Sequence, residues 1–131
     1  MTVGPGTTRK LGIILTDRGS KYAVSGAAVR DRAGVDAVLK ELKRDKAYAK
    51  ATHNTWGVLL SQAGPLKGDD GEAGVGMVIL RMLERAGLED HLIVVTRWYG
   101  GKHLGGDRFR HVQTCVSAYL EGDGHGGKET G

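Results

Sequence analysis

Two short stretches of this chain gather the residues best able to do chemistry. Asp69-Asp70-Gly71-Glu72 sets three carboxylates within four positions, and oxygen ligands of that kind suit a hard cation such as magnesium. Arg97-Trp98-Tyr99-Gly100-Gly101-Lys102 brings two cations, two amphipathic aromatics and two glycines, with Asp107-Arg108 a few positions on. Cations beside glycines that admit a close backbone approach suit an anionic group, and Trp or Tyr in a loop suits an interface. One chemistry is a phosphate-handling enzyme in which Asp69, Asp70 and Glu72 hold magnesium. The other is a binding surface in which Trp98 and Tyr99 anchor a partner while Arg97, Lys102 and Arg108 meet its anionic groups. Three carboxylates beside three cations more simply neutralise one another, which favours binding. Structural roles compete for the same residues. Asp69 and Glu72 have the spacing of a capping box, Asp107 is a credible helix N-cap, and Arg97 can pair with Asp70.

Other catalytic patterns fail on inspection. Gly74-Val75-Gly76-Met77-Val78-Ile79 starts like a dinucleotide fingerprint but has Ile79 at the third glycine, and no strand immediately precedes it. Gly101 to Gly106 lacks the Lys and Ser/Thr of a phosphate-binding loop. The five histidines are scattered rather than paired at a metal-binding spacing. Cys115 falls in a helical stretch near its apolar side, where a thiol is a small inert hydrophobe. The expectation is a non-enzyme with no catalytic residues, metal ligands or cofactor.

The elements that position these stretches follow from periodicity. Leu11–Thr16 and Lys21–Val29 read as a hairpin around Asp17-Arg18-Gly19. Asp31 caps a helix whose Val35, Val38, Leu39 and Leu42 recur at helical spacing. Ala51–Ser61 reads as a strand, and the segment from Gln62 to Asp70, with Gly64-Pro65 and Gly68, as a loop. Ala73–Ala86 is helical, apolar around most of its girth, and ended by Gly87. His91–Thr96 is apolar at consecutive positions, as a strand covered on both faces should be. Asp107–Glu121 closes the chain as a helix with Phe109, Val112, Val116 and Tyr119 inward. Strand, helix and strand in that order make the strands at Ala51 and His91 parallel. Their C-terminal ends then place the acidic loop beside the Arg97–Lys102 loop, where two helix N-termini also point.

Bulk composition sets the class. The 131 residues fit one domain, expected over residues 11–122 with flexible tails at 1–10 and 123–131. A lone cysteine excludes an internal disulfide and suits a reducing compartment. No apolar run reaches the roughly 18 residues of a membrane span, and the N-terminus lacks an apolar core of signal type, so the expected location is the cytoplasm, with no membrane partner. A net charge of +4 admits an anionic partner such as RNA. Two Trp, four Tyr and one Phe are too few for an extended base-stacking platform.

Five blocks of this chain resemble the ancient domain of the IMPACT family. Asp17-Arg18-Gly19-Ser20-Lys21-Tyr22 is similar to its Asp-Arg-x-Ser-x-Phe opening, and Ala51-Thr52-His53-Asn54 to its Ala-Thr-His-Asn strand. Asp69-Asp70-Gly71-Glu72 and Arg97-Trp98-Tyr99-Gly100-Gly101 resemble its Asp-Asp-Gly-Glu and Arg-Trp-Tyr-Gly-Gly blocks. Leu104-Gly105 and Asp107-Arg108-Phe109 resemble Leu-Gly-Pro-Asp-Arg-Phe, with Gly106 in place of proline. Bacterial YigZ-type proteins share the acidic and aromatic blocks. The resemblance implies an α+β fold: a two-layer α/β sandwich with a mixed four-stranded sheet and about three helices, like domain IV of translocating GTPases. It also implies a role in regulating translation under stress. Eukaryotic members restrain the kinase that phosphorylates an initiation factor by competing for its activator, and contact monomeric actin. Partners implied here are a protein of the translation machinery or its regulators, or RNA and the ribosome.

Overall fold

The computed structural model of the protein describes residues 8–122. The expected tails at 1–10 and 123–131 fall outside these residues except for positions 8–10, and the first strand already begins at Arg9. Strands β1 (Arg9–Asp17) and β2 (Ser20–Ala28) form the hairpin, turning through Arg18 and Gly19 at positive φ. Helix α1 (Arg32–Leu42) starts where expected, with the Asp31 carboxylate accepting from Gly34 N–H at 2.8 Å. A four-residue helix α2 (Lys46–Ala49) follows, capped by Asp45. Then come β3 (His53–Leu60), β4 (Gly64–Gly68), α3 (Val75–Ala86), β5 (His91–Trp98) and α4 (Asp107–Gly122). Gly87 ends α3 in the left-handed region (φ 66°), a conformation that costs glycine little.

The five strands lie in the order β1-β2-β5-β3-β4, and every neighbouring pair is antiparallel. This corrects the expected mixed four-stranded sheet and the parallel pairing of the strands at Ala51 and His91. The segment read as a loop between Gln62 and Asp70 contains β4, which folds back on β3 and reverses the chain once more before α3. β4 lies at the edge of the sheet, where Pro65 removes no needed ladder donor. Thus β4 and β5 run in the same direction with β3 between them, and α3 connects those two.

The α+β class holds, but helices cover both faces, so a sheet between two helical layers, with four helices among the described residues, replaces the expected two-layer sandwich with about three. On one face α3 and α4 bury Ile79, Leu83, Val112, Cys115 and Tyr119 against Tyr22, Val24, Ile93 and Val95. On the other, α1 and α2 bury Val35, Val38, Leu42 and Tyr48 against Ala23, Ala27, Leu92 and Val94. The consecutive apolar run of β5 therefore serves two cores, each large aliphatic side chain contributing about 1.5–3 kcal/mol on burial. Helix α3 is more one-sided than expected, since Met77 is exposed. No helix among the described residues is long and apolar enough to cross a membrane.

Candidate functional site

Because β4 and β5 run the same way, their C-terminal ends share one edge of the sheet, together with the N-terminal end of β3, where His53 pairs with Arg97. The acidic loop leaves β4 here in a turn closed by Glu72 N–H on Asp69 O, with Asp70 (φ 50°) and Gly71 (φ 85°) left-handed. Its three carboxylates diverge. Asp69 accepts from Gly76 N–H at 2.9 Å and Gly74 N–H at 3.2 Å, so it caps the start of α3 from across the turn. Burial raises its pKa, but those two backbone donors and Lys67 outweigh the burial and hold the carboxyl below its ordinary value. Asp70 turns to β3 and accepts from Asn54 N–H at 2.7 Å. Glu72 points inward, only 3% exposed, and accepts from Arg97 at 2.6 Å and Arg108 at 3.3 Å.

Two expectations are corrected by this geometry. Asp69 is a cap, but Glu72 is not its reciprocal partner in a capping box, because the buried guanidinium of Arg97 claims Glu72 instead. Arg97 accordingly pairs with Glu72 rather than Asp70. Among the described residues no three His, Cys, Asp or Glu side chains converge where a metal ion could sit, so the acidic loop does not fit the magnesium ligand set considered for it.

The aromatic pair also separates. Trp98 is half-buried against α2, its indole N–H donating to Ala47 O at 2.8 Å and its ring edge-on to Tyr48. Tyr99 is 44% exposed, its backbone N–H held by Thr52 Oγ1 at 2.9 Å and its ring 5.7 Å from the Arg97 guanidinium and 5.9 Å from the His103 ring. Gly100 is pressed against the β1–β2 turn: a Cβ there would lie 2.0 Å from the carbonyl carbon of Gly19, so only glycine fits. Its N–H donates to Ser20 Oγ at 3.1 Å. Gly101 takes φ 95°, and Lys102 is exposed without an ion pair among the described residues. Asp107 is the first residue of α4 and bonds Arg18 and Arg110.

What converges is an open cleft of about 490 Å³ lined by Thr52, His53, Gly71, Glu72, Arg97, Tyr99, His103, Leu104, Gly105 and Arg108. Of the residues singled out from sequence, Gly71, Glu72, Arg97, Tyr99 and Arg108 line it. Asp69, Asp70, Trp98, Gly100, Gly101, Lys102 and Asp107 do not; they cap, brace or flank it. Thr52, His53 and His103 were missed. The Ala-Thr-His-Asn block was a signal for the first two, and His103 had none beyond its place in the glycine-rich connection. The ring of His53 meets Asp70 O at 2.9 Å through Nδ1. A carbonyl can only accept, so Nδ1 carries the proton and neutral His53 keeps Nε2 as an acceptor. The floor thus holds one carboxylate between two guanidiniums, a net positive charge, and Arg97 Nε lies buried without a hydrogen-bond partner.

The family described as the Impact N-terminal domain matches residues 18–120. The chain is 36% identical over 126 residues to the Protein IMPACT homolog of Caenorhabditis elegans, covering 91% of this chain and 49% of that protein. It is 37% identical over 114 residues to human Protein IMPACT, covering 83% of this chain and 36% of that protein. To the IMPACT family member YDL177C of Saccharomyces cerevisiae it is 30% identical, over 85% of this chain and 89% of that protein. The chain therefore spans about half or less of several of the relatives it matches. Among solved structures, the two-domain translational regulator Yih1 aligns with a TM-score of 0.56 at 26% identity, over 96% of this chain and 50% of that one. A hypothetical protein of known structure aligns at 0.63 and 22% identity, over 90% and 55%, which supports the fold alone.

Proposed function

The chain belongs to the IMPACT family, and from that premise we propose that it is a binding module in the regulation of translation, not an enzyme, gripping an anionic group of its partner in the cleft between the acidic loop and Arg108. One observation carries this reading. Glu72 is buried between Arg97 and Arg108, so the cleft floor keeps one positive charge in excess. A partly desolvated excess charge attracts a counter-charge more strongly than a surface lysine does. Arg108 supplies the accessible guanidinium, His53 and His103 stand on the wall, and Tyr99 offers an exposed ring. Lys102, flanking the cleft, adds steering. The partner is a component of the translation machinery or of its regulators, a reading supported by similarity to the translational regulator Yih1. A cytoplasmic setting and a stress-linked role go with it.

A photo-crosslinker placed at Lys102, followed by recovery of adducts from cells of the source organism, tests it. Ribosomal RNA, a ribosomal protein or a regulator of initiation is the expected product. Its yield should fall steeply between about 50 and 200 mM salt, as counterion release requires for a phosphate partner, and fall again in Arg108→Ala. Adducts that ignore both salt and Arg108→Ala, or the absence of any such adduct at low salt, would refute the cleft as the binding site.

A further inference from the structure

A second groove lies on the opposite side of the β5 terminus. The register sets Ile13 opposite Ala23 and Lys21 opposite Trp98, so these side chains share the sheet face that carries α1 and α2. The core on that face takes its strand residues from β2, β3 and β5 and none from β1. The face of β1 is covered by no core residue of its own; Lys10 spans part of it, its ammonium 4.9 Å from the Tyr48 ring and paired with Asp45, and Ile13 is 55% exposed beside it. The result is a groove of about 520 Å³, formed by Gly12, Ile13, Lys21, Tyr48, Trp98 and Tyr99 with their neighbours. Three large apolar or aromatic side chains are exposed among the described residues, namely Ile13, Met77 and Tyr99. Two of the three meet in this groove, which singly scattered surface apolar residues would not do.

Lysines surround the groove in the chain. Lys21 lines it, and the exposed Lys46 and Lys50 flank in sequence Ala47 and Tyr48, which also line it. None of the three lysines has an ion pair among the described residues. The nearby carboxylate of Asp45 is already spent on Lys10 and on Ala47 N–H. The edge of β1 is poorly suited to accept an added strand, because its ladder is interrupted by bulges between Lys10 and Gly12 and between Ile13 and Leu15. An occupant must then enter through its side chains. Base stacking is poorly served too: Ile13 and Ala47 have no π face, the indole of Trp98 is tied down by Ala47 O and Tyr48, and Tyr99 is the one exposed ring of the groove, too little for a stacking platform.

We propose that this groove receives an acidic amphipathic segment of a partner protein, whose apolar side chain seats against Ile13, Trp98 and Tyr99 while its carboxylates meet Lys21 and the neighbouring Lys46 and Lys50. The groove shares only Tyr99 with the cleft described above, and its test uses other residues, so either assignment can fail alone. A displayed library of random peptides of about 16 residues, roughly four helical turns, is selected on the intact chain. The expected consensus pairs Leu or an aromatic residue with flanking Asp and Glu at helical spacing. Amide shifts on titrating an enriched peptide should cluster at Ile13, Lys21, Tyr48 and the Trp98 indole. Ile13→Asp should weaken binding on the order of tenfold or more, as loss of a central anchor does. Lys21→Glu, at an exposed position with the melting temperature checked, serves should Ile13→Asp disturb the strand, and should also weaken binding at low salt. Failure to enrich such peptides, a basic consensus, or binding that survives both substitutions overturns the proposal. So does single-stranded RNA that shifts the same amides, or self-association of the chain that Ile13→Asp abolishes.

Discussion

Glu72 is the residue on which both fold and cleft turn, and Glu72→Gln isolates its charge. The substitution keeps shape and one acceptor oxygen but leaves the guanidinium of Arg97, itself only 4% exposed, without a counter-charge. At an effective dielectric near 20, opposite charges about 4 Å apart attract by about 4 kcal/mol. Their separation here is shorter, with N and O at 2.6 Å. Arg108 is partly solvated, so its pairing with Glu72 adds roughly 0–1 kcal/mol. Removing one member of a buried pair costs about 3–5 kcal/mol, a large share of the roughly 5–15 kcal/mol that holds a domain folded. Urea unfolding followed by circular dichroism should show the unfolding free energy lower by that amount, read as a fall in the midpoint at an unchanged slope. The control is the double variant Glu72→Met with Arg97→Met, which removes both charges and should recover most of the loss. Glu72→Gln within about 1 kcal/mol of the parent, or a double variant worse than the single, would refute the claim that the buried pair is what binds the acidic loop to β5.

Three further outcomes are expected. Asp69→Ala should cost about 0.5–2 kcal/mol by thermal unfolding, since it leaves Gly74 and Gly76 N–H without their acceptor, whereas Asp69→Asn should cost less. Hydrogen bonds from Arg18 and then His111 lower the Asp17 pKa from 3.8 to about 2. A depressed folded-state pKa gives stability that is present above the unfolded value and lost as pH falls from about 4 through about 2, so Asp17→Asn should flatten the acid limb of stability in that window. Burial pushes the Cys115 thiol up to about 12, so a thiol-specific disulfide reagent at pH 8 should label it only at the rate of unfolding.

Much of the architecture was legible because it rests on local rules. Asp31 caps α1, Gly87 ends α3, and Val112, Val116 and Tyr119 face the core from α4, each as spacing required. What escaped had no local signal. β4 spells Gly-Pro-Leu-Lys-Gly, a turn composition by any propensity, and becomes a strand only because β3 offers it an edge. α2 is four residues long, too short for a helical period to register. That α1 and α2 cover the far face is a tertiary fact, since their apolar stripe would pack equally well on either side of the sheet.

The acidic loop was correctly placed beside the Arg97 loop, but through a wrong intermediate. The strand that runs parallel to β5 is β4, not β3. Because a single hairpin separates the two assignments, the same edge of the sheet is reached either way. The individual roles were less legible for a physical reason. In Asp-Asp-Gly-Glu the left-handed residues Asp70 and Gly71 swing the chain so that successive carboxylates leave in different directions. Each then finds a different donor: the amides of α3, the amide of Asn54 and the guanidiniums of Arg97 and Arg108. Composition alone suggests three ligands around one ion, whereas the turn distributes them as three separate ties. Those ties join α3, β3, β5 and α4 at one corner, and of the three carboxylates only Glu72 lines the cleft. The cleft floor stays positive because the other two carboxylates are turned away from it and Glu72 alone faces the guanidiniums of Arg97 and Arg108, which is how an acidic motif comes to build a site for an anion.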